Sequence, residues 1–332
     1  MRLLPLKHYA PTLAGLARNA MRGEAAFPFY ASFKVTARCH FGCPFCNMRQ
    51  QRVADLSTAE VKAILDNLSR SPVLMTSFEG GEPLLRGDIE ELLAYVRECC
   101  RFYLLFTTSV KNIADYPLER LARHIDFLHV SIDEGHDNLA LFDALPDLVR
   151  LPTQVSVQTV VTADTVDALE DKVRRCHGAG ANIVIIPAAH MDKTDNMFPD
   201  IETLEKKVLA LRKKYRFTIH TPQGYFAAFR KGKCSPASVI IAPDGRLFYP
   251  CHIRGTKGPD LRTVDLTSWL AGDEARAFRA EMKSCARNCG WYQYYSIDSY
   301  TSPFSVMEAM GPMLFQRRRK LRSTRFKNSP PP

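Results

Sequence analysis

The sequence predicts an α/β protein in which six β-α units build a parallel sheet, two units short of a closed eight-stranded barrel. Three observations carry this. Short β-branched or aromatic runs alternate with stretches of helical period. A helix-start signal follows the first such run. The 332 residues suffice for one barrel-sized domain plus a smaller one.

The strand candidates are residues 33–38, 73–78, 102–108, 126–133, 154–161 and 182–187. Between them lie helix candidates 58–70, 88–100, 116–123, 138–149 and 165–178. The first opens at Ser57 with Glu60 three residues later, a capping box that satisfies two orphan N–H groups reciprocally. The second contains Ile89-Glu90-Glu91-Leu92-Leu93-Ala94-Tyr95-Val96. In barrels of this kind the chemistry sits in loops at the C-terminal ends of the strands.

Composition bounds the function. Hydrophobic content of 46% and aromatic content of 10% exclude wholesale disorder. No apolar stretch approaches the roughly 20 residues that span a bilayer, and Met1-Arg2-Leu3-Leu4-Pro5-Leu6 is too short for a signal peptide, so a cytoplasmic protein is expected. Among the ten Cys, the clusters 39/43/46 and 285/289 indicate metal binding in a reducing compartment rather than disulfides, with Cys99, Cys100 and Cys176 left as structural thiols.

Cys39-His40-Phe41-Gly42-Cys43-Pro44-Phe45-Cys46 follows the first strand. A tight loop with this spacing turns three thiols inward, the disposition that holds a multinuclear iron-sulfur cluster. Three ligands for four irons leave one iron open, which separates a catalytic centre from a closed structural one. The spacing, with Phe45 just before the last Cys, resembles the signature of radical S-adenosylmethionine (radical SAM) enzymes. That resemblance implies a [4Fe-4S] cluster on Cys39, Cys43 and Cys46 whose open iron chelates S-adenosyl-L-methionine. It further implies reductive cleavage to a 5'-deoxyadenosyl radical that abstracts a substrate hydrogen, and an electron donor such as flavodoxin or ferredoxin. The family also has a Gly-Gly-Glu-Pro element where Gly80-Gly81-Glu82-Pro83 stands here, binding the methionine amino group. Its glycines let backbone carbonyls come close to a ligand and its proline fixes the exit. The repeat count then fits the partial (β/α)6 TIM-type barrel of that family, open on the side that admits substrate.

The strand-end rule nominates further residues. Ser131 and Asp133, ending the fourth strand, resemble the family's serine and aspartate element near S-adenosylmethionine. Thr107, Thr108 and Ser109 end the third strand, and Gln158 and Thr159 lie in the fifth. His190 and Asp192 follow the sixth and are candidates for exchanging protons with substrate.

A second constellation follows the basic helix candidate 202–214. Cys234 precedes the run Ala237–Ala242, Asp244-Gly245 signals a hairpin turn, and Leu247-Phe248-Tyr249 leads to Cys251. Antiparallel strands bring their outer ends together, so Cys234 and Cys251 can share a metal centre. Cys285 and Cys289, after helix candidate 274–283, can supply the other pair. The layout resembles the SPASM/Twitch auxiliary-cluster extension, in its short form with one further [4Fe-4S] cluster, although the last pair is spaced x3 where x2 is common. Trp291, Tyr292, Tyr294 and Tyr295 then pack around that centre or line a substrate cavity. Zinc remains the alternative metal for either Cys set.

Four regions are expected: an amphipathic segment 1–30, the radical SAM partial barrel 31–215, a small C-terminal β-hairpin/helix auxiliary-cluster domain 216–300, and a basic tail 301–332. In the first, Leu13, Leu16, Ala17, Ala20 and Met21 form an apolar stripe near Lys7, Arg18 and Arg22. The tail carries Gln316-Arg317-Arg318-Arg319-Lys320-Leu321-Arg322, and the net charge is +10. Basic, amphipathic ends suit peripheral contact with the inner face of an anionic membrane. They make a lipid or isoprenoid precursor the first substrate expectation, with peptide modification and sugar or aminocyclitol dehydrogenation as alternatives. Nucleic acid is disfavoured by the lack of an RNA-binding motif. The non-enzymatic alternative is a zinc-dependent, nucleic-acid-binding protein.

Overall fold

The computed structural model describes residues 2–189, 195–232, 234, 237–253, 255, 257–296 and 316. After helix α1 (Ala10–Arg22), strands β1 (Tyr30–Thr36), β2 (Met75–Gly80), β3 (Tyr103–Thr108), β4 (Phe127–Ser131), β5 (Gln154–Val161) and β6 (Asn182–Pro187) pair in sequence order, all parallel. Helices α2 (Thr58–Arg70), α3 (Ile89–Cys99), α4 (Leu118–Leu121), α5 (Leu145–Leu148) and α6 (Leu169–Ala179) connect them. The capping box forms as expected, with Ser57 N donating to Glu60 Oε2 at 2.9 Å and Glu60 N to Ser57 Oγ at 3.3 Å. The candidate 138–149 is broken instead into a 3-10 turn, Leu139–Ala144, and the single turn of α5. Pro146 has no N–H to continue a helix through it and sits in the first turn of a new one.

Beyond helix α7 (Ile201–Lys214) come α8 (Gln223–Arg230), β7 (Ser238–Ile241), β8 (Arg246–Phe248), β9 (Lys257–Asp260), α9 (Leu266–Ala271), α10 (Asp273–Lys283) and α11 (Tyr292–Ser296). The expected hairpin exists, but it does not stand apart from the barrel sheet. Strand β7 pairs in parallel with the free edge of β1, and β8 and β9 follow antiparallel, so one mixed sheet runs β6-β5-β4-β3-β2-β1-β7-β8-β9. Strand β7 is buried along its whole length, with Val239-Ile240-Ile241 following Ser238, as a strand inside such a sheet requires.

The two faces of the parallel strands differ. Phe33, Phe78, Phe106, Leu128, Val157 and Ile183 belong to one core with the helix residues Ile64, Leu65, Leu68, Leu92 and Val96. Alternate residues therefore line the opposite, inner face. Its floor, at the strand starts, is apolar: Tyr103, Leu105 and Phe127 pack with Leu4, and Tyr9 and Met75 lie against them. Leu4 is held there by Arg2, whose backbone N–H donates to buried Asp126 at 2.9 Å and whose guanidinium bonds the carbonyls of Arg97 and Phe102.

Helix α1 docks by a face other than the predicted stripe. Thr12 Oγ1 donates to Pro72 O at 2.8 Å, Gly15 lies so close to Pro72 that a Cβ would meet it at 2.8 Å, and Asn19 bonds the backbone of Ala26 and Phe27. Leu13 and Met21, 62% and 80% exposed, point outward. Small and hydrogen-bonding residues permit the close approach that the leucines do not. No helix among the described residues is long and apolar enough to cross a membrane.

Asn67 joins the C-terminal region to α2. Its Nδ2 donates to Leu261 O and Val264 O at 2.8 and 2.7 Å, and its Oδ1 accepts from Leu266 N at 3.0 Å. Asn67→Ala strands two buried backbone groups and the half-buried Val264 carbonyl and should cost about 2–3 kcal/mol in urea-induced unfolding; a loss under about 0.5 kcal/mol would show that the tie is dispensable.

Candidate functional site

The Cys39–Cys46 loop leaves the C-terminal end of β1, and the Gly80 turn leaves the neighbouring end of β2. The two are laced together: Gly81 N donates to Thr36 O and Glu82 N to Arg38 O, both at 2.8 Å. Neither glycine tolerates a side chain, because a Cβ would lie 2.2 Å from Thr36 O at Gly80 and 1.9 Å from Arg38 O at Gly81. At Gly80, φ of +135° adds a conformation that favours glycine. The start of the Cys loop is pinned from its other side by Asp55, which accepts from Thr36 Oγ1 at 2.6 Å and pairs with Arg38 at 2.6 Å.

Glu82 is fully buried and its carboxylate faces the protein. It accepts from Leu84 N, Thr108 Oγ1, Ser109 N and Ser109 Oγ at 3.0, 2.9, 2.8 and 3.2 Å. Burial pushes its pKa up and these four bonds oppose the shift. The side chain thus braces the β2 turn on the end of β3, and what the turn offers a ligand is backbone. Asp133, 1% exposed, is likewise consumed: it accepts from His136 N at 3.0 Å and Val160 N at 3.1 Å, and meets His136 Nδ1 at 2.8 Å. Ser131 sits buried at the same strand end, and its carbonyl accepts from Asn138 at 2.8 Å.

Phe45 rests on Gly135, where a Cβ would meet its ring at 2.2 Å, and its ring and that of Phe41 lie 5.7 and 5.5 Å from His136. Gly135, His136 and Asn138 are not among the site residues expected from sequence. The Glu134-Gly135-His136 turn directly after Asp133, with a glycine opposite an aromatic, was the available signal.

Cys43 is buried, Cys39 half-buried and Cys46 exposed, and no disulfide joins any of the ten cysteines. Burial pushes Cys43 up to about 12, with Cys46, Asp133 and Cys39 adding to it, so the three thiols share one locale. Three thiols in a loop beside exposed backbone of a glycine turn fit an iron-sulfur cluster with one iron left open. Among the described residues no three His, Cys, Asp or Glu close around a point as a single ion needs.

Cys234, Cys251, Cys285 and Cys289 line one pocket with Ile253, Met282, Arg287 and Tyr294. They arrive from the end of α8, the end of β8 and the loop after α10. Four cysteines around one pocket, with a single cationic side chain among its otherwise apolar wall, suit a fully ligated cluster. The tyrosines clamp the loop: Tyr225 OH donates to Gly290 O and Tyr295 OH to Asn288 Oδ1, both at 2.9 Å, while Tyr294 OH accepts from His252 N at 2.9 Å. Gly290 is required, with φ of +68° and a Cβ that would strike Phe198 at 2.6 Å. Packing is thus what Tyr294 and Tyr295, both buried, do here. His252 is pushed down to about 4, by burial first and by the Lys34 ammonium second. The inner face of β1 therefore adjoins the four-Cys region.

His190, Asp192 and the basic run after Gln316 lie outside the described residues. Gln158 Nε2 donates to His129 Nδ1 at 2.8 Å, and Thr159 meets Lys172 at 3.1 Å.

Comparison with known proteins follows from this geometry. The family model described as "Radical SAM superfamily" matches residues 33–204. A PqqA peptide cyclase of Gluconobacter oxydans is 33% identical over 292 residues, 77% of this chain and 81% of that one. That of Xanthomonas campestris is 33% identical over 302 residues, 79% of each chain. Among solved structures, Streptococcus suis SuiB bound to precursor peptide SuiA superposes with a TM-score of 0.63 at 14% identity, covering 88% of this chain and 77% of that one. Native anSMEcpe with bound AdoMet and Cp18Cys peptide gives 0.61 at 15%, covering 89% and 99%. These two show a shared fold.

His129 supplies a pH test. Burial pushes it down to about 3, His220 adds to this and Glu79 opposes it. Between pH 6.5 and 3 the unfolded chain binds a proton that the folded one refuses, so stability falls as pH drops through that window. The slope is about 1.4 kcal/mol per pH unit from this group. His129→Asn should flatten urea-unfolding stability by that amount between pH 6 and 5; identical slopes would mean that His129 titrates normally when folded.

Proposed function

This chain belongs to the radical SAM superfamily, and from that membership we propose that its substrate is a peptide. The observation that carries the proposal is the 33% identity to PqqA peptide cyclases over most of both chains. The lipid or isoprenoid precursor expected from the basic ends has less behind it: α1 docks on the barrel, and the tail lies outside the described residues. The chain is a radical SAM enzyme; the family's cofactors, a [4Fe-4S] cluster and S-adenosylmethionine, supply a 5'-deoxyadenosyl radical that takes a hydrogen atom from the substrate.

In this reading Cys39, Cys43 and Cys46 hold the cluster, and Asp55 and Arg38 keep their loop closed at its start. Gly80 and Gly81 present backbone to the methionine moiety, with Pro83 turning the chain away and Glu82 holding the turn in shape from behind. The Ser131 hydroxyl, which makes no hydrogen bond among the described residues, is placed to bond the cofactor. Phe45 covers the loop on the side of His136. Asp133 acts through His136 and the β5 backbone as a positioning residue. Cys234, Cys251, Cys285 and Cys289 hold a second [4Fe-4S] cluster in a SPASM/Twitch-like region, shielded by Tyr294 and Met282.

Anaerobically reconstituted, reduced protein should release 5'-deoxyadenosine from S-adenosylmethionine, and replacing Cys39, Cys43 and Cys46 together with Ala should reduce release at least a hundredfold. Replacing the four C-terminal Cys should roughly halve the iron per chain, since the two sets would hold similar clusters; unchanged iron would remove the second cluster. The substrate class is decided by deuterated pools of short peptides, lipids and sugars. Label should enter 5'-deoxyadenosine from the peptide pool, and label from lipid alone would reverse the proposal.

A further inference from the structure

The upper inner face of the barrel carries a ring of polar side chains that neither Cys site uses. Strand register places its members at one level. Lys34 pairs with Glu79 across β1 and β2, Thr107 with His129 across β3 and β4, His129 with Ser156, and Ser156 with Asn182. Thr107 follows the Phe78–Phe106 pair by one residue, which brings it level with Glu79. Six consecutive strands thus contribute only polar groups at this height. The interiors of such barrels are ordinarily filled by layers of branched apolar residues, and a buried polar layer costs stability. In the layer below, Leu105 and Phe127 are apolar and stand level with Ser32, Ser77 and Gln154, so it is the ring above that carries charge and no apolar member.

The hydrogen bonding of the ring is lopsided. Lys34 Nζ donates to Glu79 Oε2 at 2.6 Å, its one acceptor among the described residues, and the two side chains are only 12% and 17% exposed. Glu79 accepts in addition from Tyr30 OH at 3.1 Å. An amide nitrogen can only donate, so Gln158 Nε2 makes His129 Nδ1 the acceptor and places the proton of neutral His129 on Nε2. That N–H has no partner among the described residues. Thr107 Oγ1 is buried and unpartnered. The ring therefore holds spare donors on Lys34, His129 and Thr107, while its one carboxylate is already engaged twice. Glu79 directly precedes Gly80, and His129 lies two residues before Ser131, so the ring opens into the same mouth as the Cys39–Cys46 loop.

We propose that the ring of Lys34, Glu79, Thr107 and His129 binds the acyl oxygens of a substrate side chain, a carboxylate or a carboxamide. The Lys34 ammonium, His129 Nε2–H and Thr107 hydroxyl donate to it, and Glu79, braced by Tyr30, fixes the ammonium. The assignment to a peptide side chain rests on the peptide reading above; the ring's preference for acyl oxygens does not.

The test uses small probes on the anaerobically reconstituted full chain: propionate, propionamide and, as a cation of similar size, propylamine, followed by ligand-observed saturation-transfer NMR. Propionate or propionamide should bind and propylamine should not. Thr107→Val, isosteric and outside the ion pair, should weaken the bound probe about fivefold, the worth of one hydrogen bond. The paired change Lys34→Met with Glu79→Gln, which removes both charges together and so leaves neither buried alone, should weaken propionate at least tenfold. Binding of propionate but not propionamide assigns a carboxylate, and the reverse a carboxamide. Failure of both probes to bind, propylamine binding equally well, or affinity unchanged in both variants would overturn the proposal and leave the ring as internal structure. Because no peptide is present, these outcomes are separate from those of the deuterium experiment.

Discussion

Strand β1 is the constraint on which the rest depends. It is hydrogen-bonded on both edges, to β2 and to β7, through parallel ladders from Tyr30 to Phe33. At its end the ladder to β2 shifts register between Lys34 and Thr36, and the chain departs into the Cys39–Cys46 loop. The same strand that aims the first Cys set also carries, through β7, the hairpin that ends in Cys251. A parallel ladder cannot slip by one residue without turning Phe33 from the core to the inner face. Any such slip would displace both Cys sets, so their mutual placement is as well defined as the sheet itself.

Around this strand the carboxylates near the mouth hold backbone in place more than they await ligands. Glu82, Asp133 and Asp55 each fix the exit of one strand on its neighbour or on the Cys loop. The bonds of Glu82 and Asp133 to backbone N–H groups satisfy donors that irregular chain at a strand end would otherwise bury unpaired. The charged pair of Lys34 and Glu79 lies one level lower, in the ring that runs to Asn182. Below it the inner face mixes Ser32, Ser77 and Gln154 with Leu105 and Phe127, and the apolar cluster with Leu4 lies at the strand starts of β2 to β4.

Much of this was legible because periodicity speaks for local structure. The strands at 154–161 and 182–187 and the helix at 58–70 occur with the bounds expected. The four C-terminal Cys line one pocket and the first three share the loop after β1, since hairpin geometry and strand-end loops are local consequences of sequence. Long-range choices were not legible. The Asp244-Gly245 turn announces the hairpin but says nothing of which sheet edge β7 will join. Strand β9, Lys257-Gly258-Pro259-Asp260, is hidden by residues that ordinarily weaken strands. The docking face of α1 was misjudged because Gly15 and Thr12 work through closeness and hydrogen bonds, which an apolar stripe does not register. The inward turn of Glu82 and Asp133 depended on partners in β3 and β5, far along the chain.

Leu4, Tyr9 and the anchoring of Arg2 on Asp126 have a consequence for traffic. With the strand starts stoppered by these residues, the inner face is closed at that end, so a chain cannot thread the barrel along its axis from one end to the other. A side chain or a tight bend entering past the Cys loop would have to leave by the mouth or the open side of the sheet. Turnover would then be set by how readily the altered residue is lifted out past the Cys39–Cys46 loop, and the lengths of chain flanking that residue would matter little.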